Sequence, residues 1–109
     1  MRIHKEKDMV KGWFVGNFEP TTMKTYTCEA AIKRYKSGDG EAAHMHKIAI
    51  EITFVVEGKI KMNNNIYEKG DIITMDPGEY TDFSALEDSI ISVIKVPCVI
   101  GDKYALHSA

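Results

Sequence analysis

Cysteine is scarce in this chain of 109 residues: Cys28 and Cys98 are its only two, far apart and in no metal-ligand spacing. A small secreted scaffold normally carries a denser disulfide framework, so two reduced, partly buried thiols in a cytoplasmic protein are expected. No apolar run approaches the roughly 18 residues that a membrane-spanning helix needs. The charged start, Met1-Arg2-Ile3-His4-Lys5-Glu6-Lys7-Asp8, leads into no apolar signal core. Charge of one sign is not in excess either, since 14 basic against 16 acidic side chains leave a net −2. That excludes a whole-surface basic field for nucleic acid or for an anionic membrane. With 44% hydrophobic and 28% charged residues, the composition is that of a globular domain. Its length allows one core, so residues 1–109 are expected to form a single domain.

What is present is short turn punctuation between β-prone runs. Turn signals stand at Glu19-Pro20-Thr21-Thr22, Ser37-Gly38-Asp39-Gly40, Glu57-Gly58, Asn63-Asn64-Asn65, Lys69-Gly70-Asp71, Asp76-Pro77-Gly78 and Pro97. The runs between them, rich in Ile, Val, Thr, Tyr and Phe, predict strands at Lys24–Lys36, Ile52–Val56, Lys59–Met62, Asn65–Glu68, Asp71–Met75, Thr81–Ser84 and Ser89–Val96. Asn63-Asn64-Asn65 reads as a hairpin turn, because asparagine tolerates positive φ. Lys5–Val15 carries Met9, Trp13, Val10 and Phe14 at near-helical spacing and predicts a short helix or turn plugging one end. This is an all-β sandwich or barrel. Ile52-Thr53-Phe54-Val55-Val56 is apolar on both faces, so one face can fill a barrel while the other needs a second sheet or subunit to cover it.

One stretch carries chemistry. In Gly38-Asp39-Gly40-Glu41-Ala42-Ala43-His44-Met45-His46-Lys47-Ile48-Ala49-Ile50-Glu51, two of the chain's four histidines lie two residues apart. On a strand, positions i and i+2 face the same side, so both imidazoles reach one point. Glu51 stands at an odd offset from His46 and would face the other way on an unbroken strand. A short connection through Lys47–Ile50 that starts a new strand brings it back inward. Two neutral imidazoles and one carboxylate then make a facial set with open positions, suited to Fe(II), Mn(II), Ni(II) or Zn(II). No Ser/His/Asp or Cys/His pair stands out from spacing.

The stretch resembles the first motif of the cupin superfamily: a glycine, five residues, His-x-His, three or four residues, Glu, six residues and a glycine. Gly38, His44, His46, Glu51 and Gly58 match it with every spacing kept. The second cupin motif is matched in part over residues 70–86. Gly70, Pro77 and Gly78 are present, with Pro77 one residue late. The resemblance implies a cupin-like double-stranded β-helix, or jelly-roll barrel, with motif residues at its mouth and a first-row metal held by two histidines, a glutamate and a third histidine. That third histidine is missing. Counted from Gly78 its place falls on Thr81, and counted from Pro77 on Asp82. The Thr81 register, which is favoured, turns Glu79 and Phe83 inward as well. The Asp82 register turns Tyr80 inward and offers a second carboxylate as a fourth ligand.

The expected function is that of a small-molecule cupin with a divalent metal on His44, His46 and Glu51. The resemblance implies an isomerase, epimerase or oxygenase type of enzyme acting on a polar or sugar-like substrate. A non-catalytic small-ligand-binding or regulatory module with a weak or absent metal site is the alternative. Metal-free acid–base catalysis by a histidine with Tyr80 or Asp82 is a third reading. His44, Glu51 and Tyr80 are the catalytic candidates; Thr81, Phe83 and Arg34 are the pocket candidates, Arg34 to meet an anionic group. A homodimer is expected, because a lone barrel this small leaves apolar faces and edges exposed.

Overall fold

The computed structural model describes residues 1–105. Ten strands form two five-stranded sheets: β1 (Trp13–Val15), β2 (Glu29–Tyr35), β3 (Gly40–Met45), β4 (Ile50–Glu57), β5 (Lys59–Met62), β6 (Asn65–Glu68), β7 (Ile72–Met75), β8 (Thr81–Ala85), β9 (Ser89–Val96) and β10 (Tyr104–Ala105). One sheet runs β1-β2-β9-β4-β7 and the other β10-β3-β8-β5-β6, and neighbouring strands are antiparallel throughout. Successive strands pass repeatedly from one sheet to the other, which is the double-stranded β-helix arrangement. Among the described residues no helix is long and apolar enough to cross a membrane.

Period-two burial sets the core. Val55 of β4, Ile60 and Met62 of β5, Phe83 of β8, and Ile91 and Val93 of β9 meet between the sheets, with Trp13, Tyr35, Tyr67, Ile73 and Met75 packed around them. Tyr35 and Phe83 stack with ring centroids 4.6 Å apart. Each large apolar side chain fully buried here contributes roughly 1.5–3 kcal/mol. Towards the other end the inward positions turn polar, with Glu29, His44, His46, Thr53 and Thr81 all buried. The barrel therefore has an apolar body and a polar mouth. On the outer face of the first sheet, β4 shows Ile50, Phe54 and Val56, beside Ile72 of β7 and Ile94 and Val96 of β9, all of them exposed. This is the second apolar face that the β4 sequence predicts.

The β5–β6 hairpin follows from its turn residues. Asn63 and Asn64 take φ of 47° and 67°, and Met62 pairs with Asn65 across them. Gly58 joins β4 to β5 at φ 90°, where a Cβ would collide with Ser89 Oγ and the Asp88 carbonyl. Two expectations are corrected. The strand expected at Lys24–Lys36 starts only at Glu29, because the preceding segment bonds elsewhere: Thr22 N–H donates to the Phe14 carbonyl at 2.9 Å and Thr25 N–H to that of Gly16 at 3.3 Å. The helix or turn expected at Lys5–Val15 is one 3-10 turn, Glu6–Asp8, followed by strand β1. Gly12 at φ 83° lies so close to the Ile32 carbonyl that a Cβ would collide with it, a conformation that no helix interior allows.

Candidate metal centre

His44 lies in β3 between two other strands, opposite Thr81 of β8 and Ala105 of β10. His46 follows just past the strand end, on the same side of the chain. Between His46 and β4 the backbone turns under the carboxylate of Asp102. That group accepts three consecutive N–H bonds, from Lys47 at 2.8 Å, Ile48 at 3.1 Å and Ala49 at 2.9 Å. This clasp breaks the strand where the odd His46-to-Glu51 offset requires a break. β4 then starts at Ile50, and Glu51 returns to the interior opposite Lys95 of β9. His44, His46 and Glu51 converge, with one ligand atom from each within 4.8 Å of the others.

Hydrogen bonding orients both imidazoles. His44 Nδ1 lies 3.1 Å from the Ala42 carbonyl, and His46 Nδ1 contacts the Asp102 carbonyl. A carbonyl only accepts, so each Nδ1 carries a proton and each Nε2 keeps its lone pair for something else. His46 Nε2 faces Glu51 Oε2 at 3.2 Å. A neutral imidazole and an ionised carboxylate would oppose two lone pairs there, so either a proton or a cation has to lie between them. The hydrogen bond to Glu51 raises the His46 pKa above the ordinary histidine value; burial opposes this and the Asp102 carbonyl assists it. Burial pushes Glu51 up, but the His46 hydrogen bond and the Lys95 and histidine charges outweigh it, leaving the carboxyl below its usual range. Asp102 is likewise held low, its backbone donors overcoming desolvation. Borderline nitrogen donors with preset tautomers beside one ionised carboxylate fit a divalent first-row ion.

A cleft of about 250 Å³ opens over His44 and Glu51. It is lined by Trp13, Lys11, Lys33, Lys95 and Lys103 and by Glu29, Glu41 and Asp102. Lys33 and Lys95 each place Nζ 5.0 Å from the centroid of the Trp13 ring. Lys95 approaches Glu29 at 3.9 Å, whereas Lys33 makes no ion pair among the described residues. Burial depresses the Lys33 pKa. It also raises that of Glu29, against the pull of Lys95. Below the cleft, a hole of about 30 Å³ reaches the core between His44, Glu51, Thr53, Thr81 and Phe83.

Of the residues singled out by sequence, His44, His46, Glu51, Thr81 and Phe83 come together here. Thr81, 5% exposed, and Phe83, 7% exposed, point inward on β8, so Asp82 points out. Its carboxylate accepts the Asn63 N–H at 2.8 Å, and it is no fourth ligand. Tyr80 is exposed too, ahead of the start of β8, and so is not brought to the histidines; its carbonyl accepts from Asn63 Nδ2 at 2.6 Å. Glu79, expected inward in the Thr81 register, is exposed, because inward alternation starts only where β8 begins at Thr81. Arg34 also lies outside, its guanidinium bonded to both carboxylate oxygens of Glu6 at 3.0 and 3.1 Å. Inward parity on β2 instead belongs to Ala31, Lys33 and Tyr35. The alternation of Ala31 and Tyr35 about Lys33 is the signal that could have selected it. Asp102 had no local signal.

No protein-family model matches the sequence, and neither does any curated protein sequence. The fold is nonetheless well represented among solved structures. A protein from Klebsiella pneumoniae with a double-stranded β-helix domain superposes with a TM-score of 0.69 at 19% identity, over 77% of this chain and 74% of that one. A sugar phosphate isomerase of the cupin superfamily from Silicibacter pomeroyi gives 0.60 at 16% identity, over 64% of this chain and 50% of that one. Oxalate decarboxylase of Bacillus subtilis, described with Mn(II) centres, gives 0.65 at 16% identity, over 75% of this chain but 25% of its own length. With two antiparallel sheets wound as in these proteins and a His-x-His-plus-Glu group at the mouth, this chain has the cupin fold, a double-stranded β-helix.

Proposed function

We propose that the chain is a metal-dependent cupin enzyme acting on a small polar molecule, with the metal held by Nε2 of His44 and His46 and a carboxylate oxygen of Glu51. The observation that carries this is the pair of imidazoles whose Nδ1 atoms are committed to carbonyls, with His46 Nε2 3.2 Å from Glu51 Oε2 and one ligand atom from each of His44, His46 and Glu51 within 4.8 Å of the others. A divalent ion bound there supplies Lewis acidity towards a carbonyl, hydroxyl or enediol oxygen and, if it is iron, affinity for oxygen. The chain's own residues orient the ligand and limit water. Trp13 walls one side of the cleft, Thr81 and Phe83 close the floor, and Glu29, buried and paired with Lys95, offers a carboxyl able to hold a proton. A sugar-like or other polyoxygenated substrate and an isomerase, epimerase or oxygenase type of reaction fit such a site. The solved relatives that act on sugar phosphate and carry Mn(II) support that choice.

Thr81 favours a second reading. It offers a hydroxyl where cupins with four protein ligands place an imidazole, which weakens metal retention and suits a binding or regulatory module. His44→Ala and Glu51→Ala separate the two. An enzyme loses turnover in both variants while its circular dichroism is retained; a binder changes only in ligand affinity. In either reading we place the protein in the cytoplasm as a homodimer, a second copy covering Ile50, Phe54, Ile94 and Val96 on the outer face of the first sheet.

A further inference from the structure

The cleft's charges are equal in number but not in availability. Four lysines and four acidic residues line it, so the walls alone balance. Glu51 belongs to the candidate metal group, and the Asp102 carboxylate is committed to three backbone N–H groups. A divalent ion adds two positive charges to that balance. Lys33 is the inner cation without an ion pair, acted on by the Glu41 and Glu51 charges only at longer range. It has no carboxylate partner among the described residues, and it lines both the cleft and the inner hole beside His44 and Glu51. Lys95 faces Glu51 across the β4–β9 pairing. Both ammonium groups sit 5.0 Å from the Trp13 centroid, which restrains two otherwise mobile side chains. An exposed lysine needs no such support. A partly desolvated, unpaired Lys33 beside the candidate metal group calls for a counter-charge from the ligand, and Lys95, held against the same ring, is placed to share it.

We propose that the cleft selects a small organic anion. Its carboxylate or phosphate oxygens are bound by Lys33 and Lys95, and a neighbouring oxygen is directed at the His44–His46–Glu51 group. The inference rests on the metal-site reading for that second contact, but the lysine contact stands without it. A cleft of about 250 Å³ is below the size typical of drug-like ligands, so the anion is a small one. Lys33 and Lys95 then determine specificity, rejecting neutral analogues of the same shape.

The single tryptophan makes this measurable. Trp13 fluorescence is titrated with glycolate, with 2-phosphoglycolate and with neutral glycolamide, on zinc-loaded and on metal-free protein. Saturable binding of at least one anion is expected, with glycolamide about tenfold weaker or worse, as loss of a charged hydrogen bond implies. The two anions separate a carboxylate preference from a phosphate preference. Lys33→Gln and Lys95→Gln should each lose about tenfold in anion affinity. Lys33→Arg should retain most of it, and the remote Lys69→Gln all of it. In metal-free protein the anion should bind more weakly but with the same lysine dependence, so a failure to bind zinc does not mask the result. Affinity for glycolamide equal to that for the better-bound anion, unchanged anion affinity in both glutamine variants, or no saturable anion binding in either form overturns the proposal.

Discussion

Replacing Asp102 with alanine removes the acceptor for the N–H groups of Lys47, Ile48 and Ala49, at 2.8, 3.1 and 2.9 Å. The Asp102 residue is 5% exposed, so water replaces the lost carboxylate incompletely. A hydrogen bond to a charged group contributes about 1.5–3 kcal/mol, and a buried donor left unpaired costs about 1–3 kcal/mol. Allowing water to recover part of this, the variant should lose roughly 2–4 kcal/mol, a large share of the roughly 5–15 kcal/mol that holds a domain together. Asp102→Asn should cost less. An amide oxygen in the Oδ2 position keeps the bonds from Ile48 and Ala49, while its NH₂ group faces the Lys47 N–H. Urea unfolding followed by circular dichroism measures both. Because the clasp sets the register between His46 and Glu51, zinc affinity measured on the folded variants should fall in the same order. An alanine variant within about 0.5 kcal/mol of the parent, the range of an ordinary surface change, would refute the reasoning.

Other outcomes follow from the same structure. His46 must lose its Nε2 proton to bind a metal, and its pKa is raised, so zinc affinity should fall as pH drops through a value above the ordinary 6.5 or so of histidine. Isothermal titration in buffers of differing ionisation enthalpy should show a proton released on binding, and a pH-independent affinity would contradict histidine ligation. For the metal-free protein the sign is opposite. A raised folded-state pKa contributes stability that is complete below the unfolded value of about 6.5 and is lost as pH rises through the folded value, so melting temperature should decline over that window. Phe54→Lys, on the exposed face of β4, should convert the proposed dimer to monomer in sedimentation; a parent protein already monomeric at micromolar concentration removes the interface. Gly58→Ala should destabilise by at least about 1 kcal/mol in urea unfolding, since it adds a Cβ at positive φ.

The convergence of His44, His46 and Glu51 is legible because it is local. His44 and His46 share a face through period two, and the break needed before Glu51 follows from an odd count of residues. The hairpin at Asn63-Asn64 and the strands β5, β6 and β9 are legible for the same reason, each being a run bounded by turn residues. What makes the break at residues 47–49, however, is Asp102, which is 56 positions from His46, and nothing in the intervening sequence announces it. Arg34, the pocket candidate on this strand, is one residue out of phase with Lys33. Reading Lys24–Lys36 as one continuous strand left its inward face unset, and tertiary pairing of residues 22–25 with 14–16 moved the strand's start to Glu29. Strand β1 was hidden by apolar spacing that mimics a helix, and β10 by its two-residue length. The apolar ring at Phe83 favours Thr81 over Asp82, and both Thr81 and Phe83 are buried on β8, because the pleat allows only one of two adjacent residues to face the core.

The most direct test of the account is elemental analysis of the purified, untagged protein beside a folded His44→Ala/His46→Ala double variant. The account predicts close to one equivalent of iron, manganese, nickel or zinc in the parent and its loss in the variant. Absence of metal from the parent even after reconstitution, or equal metal in both proteins, would contradict it.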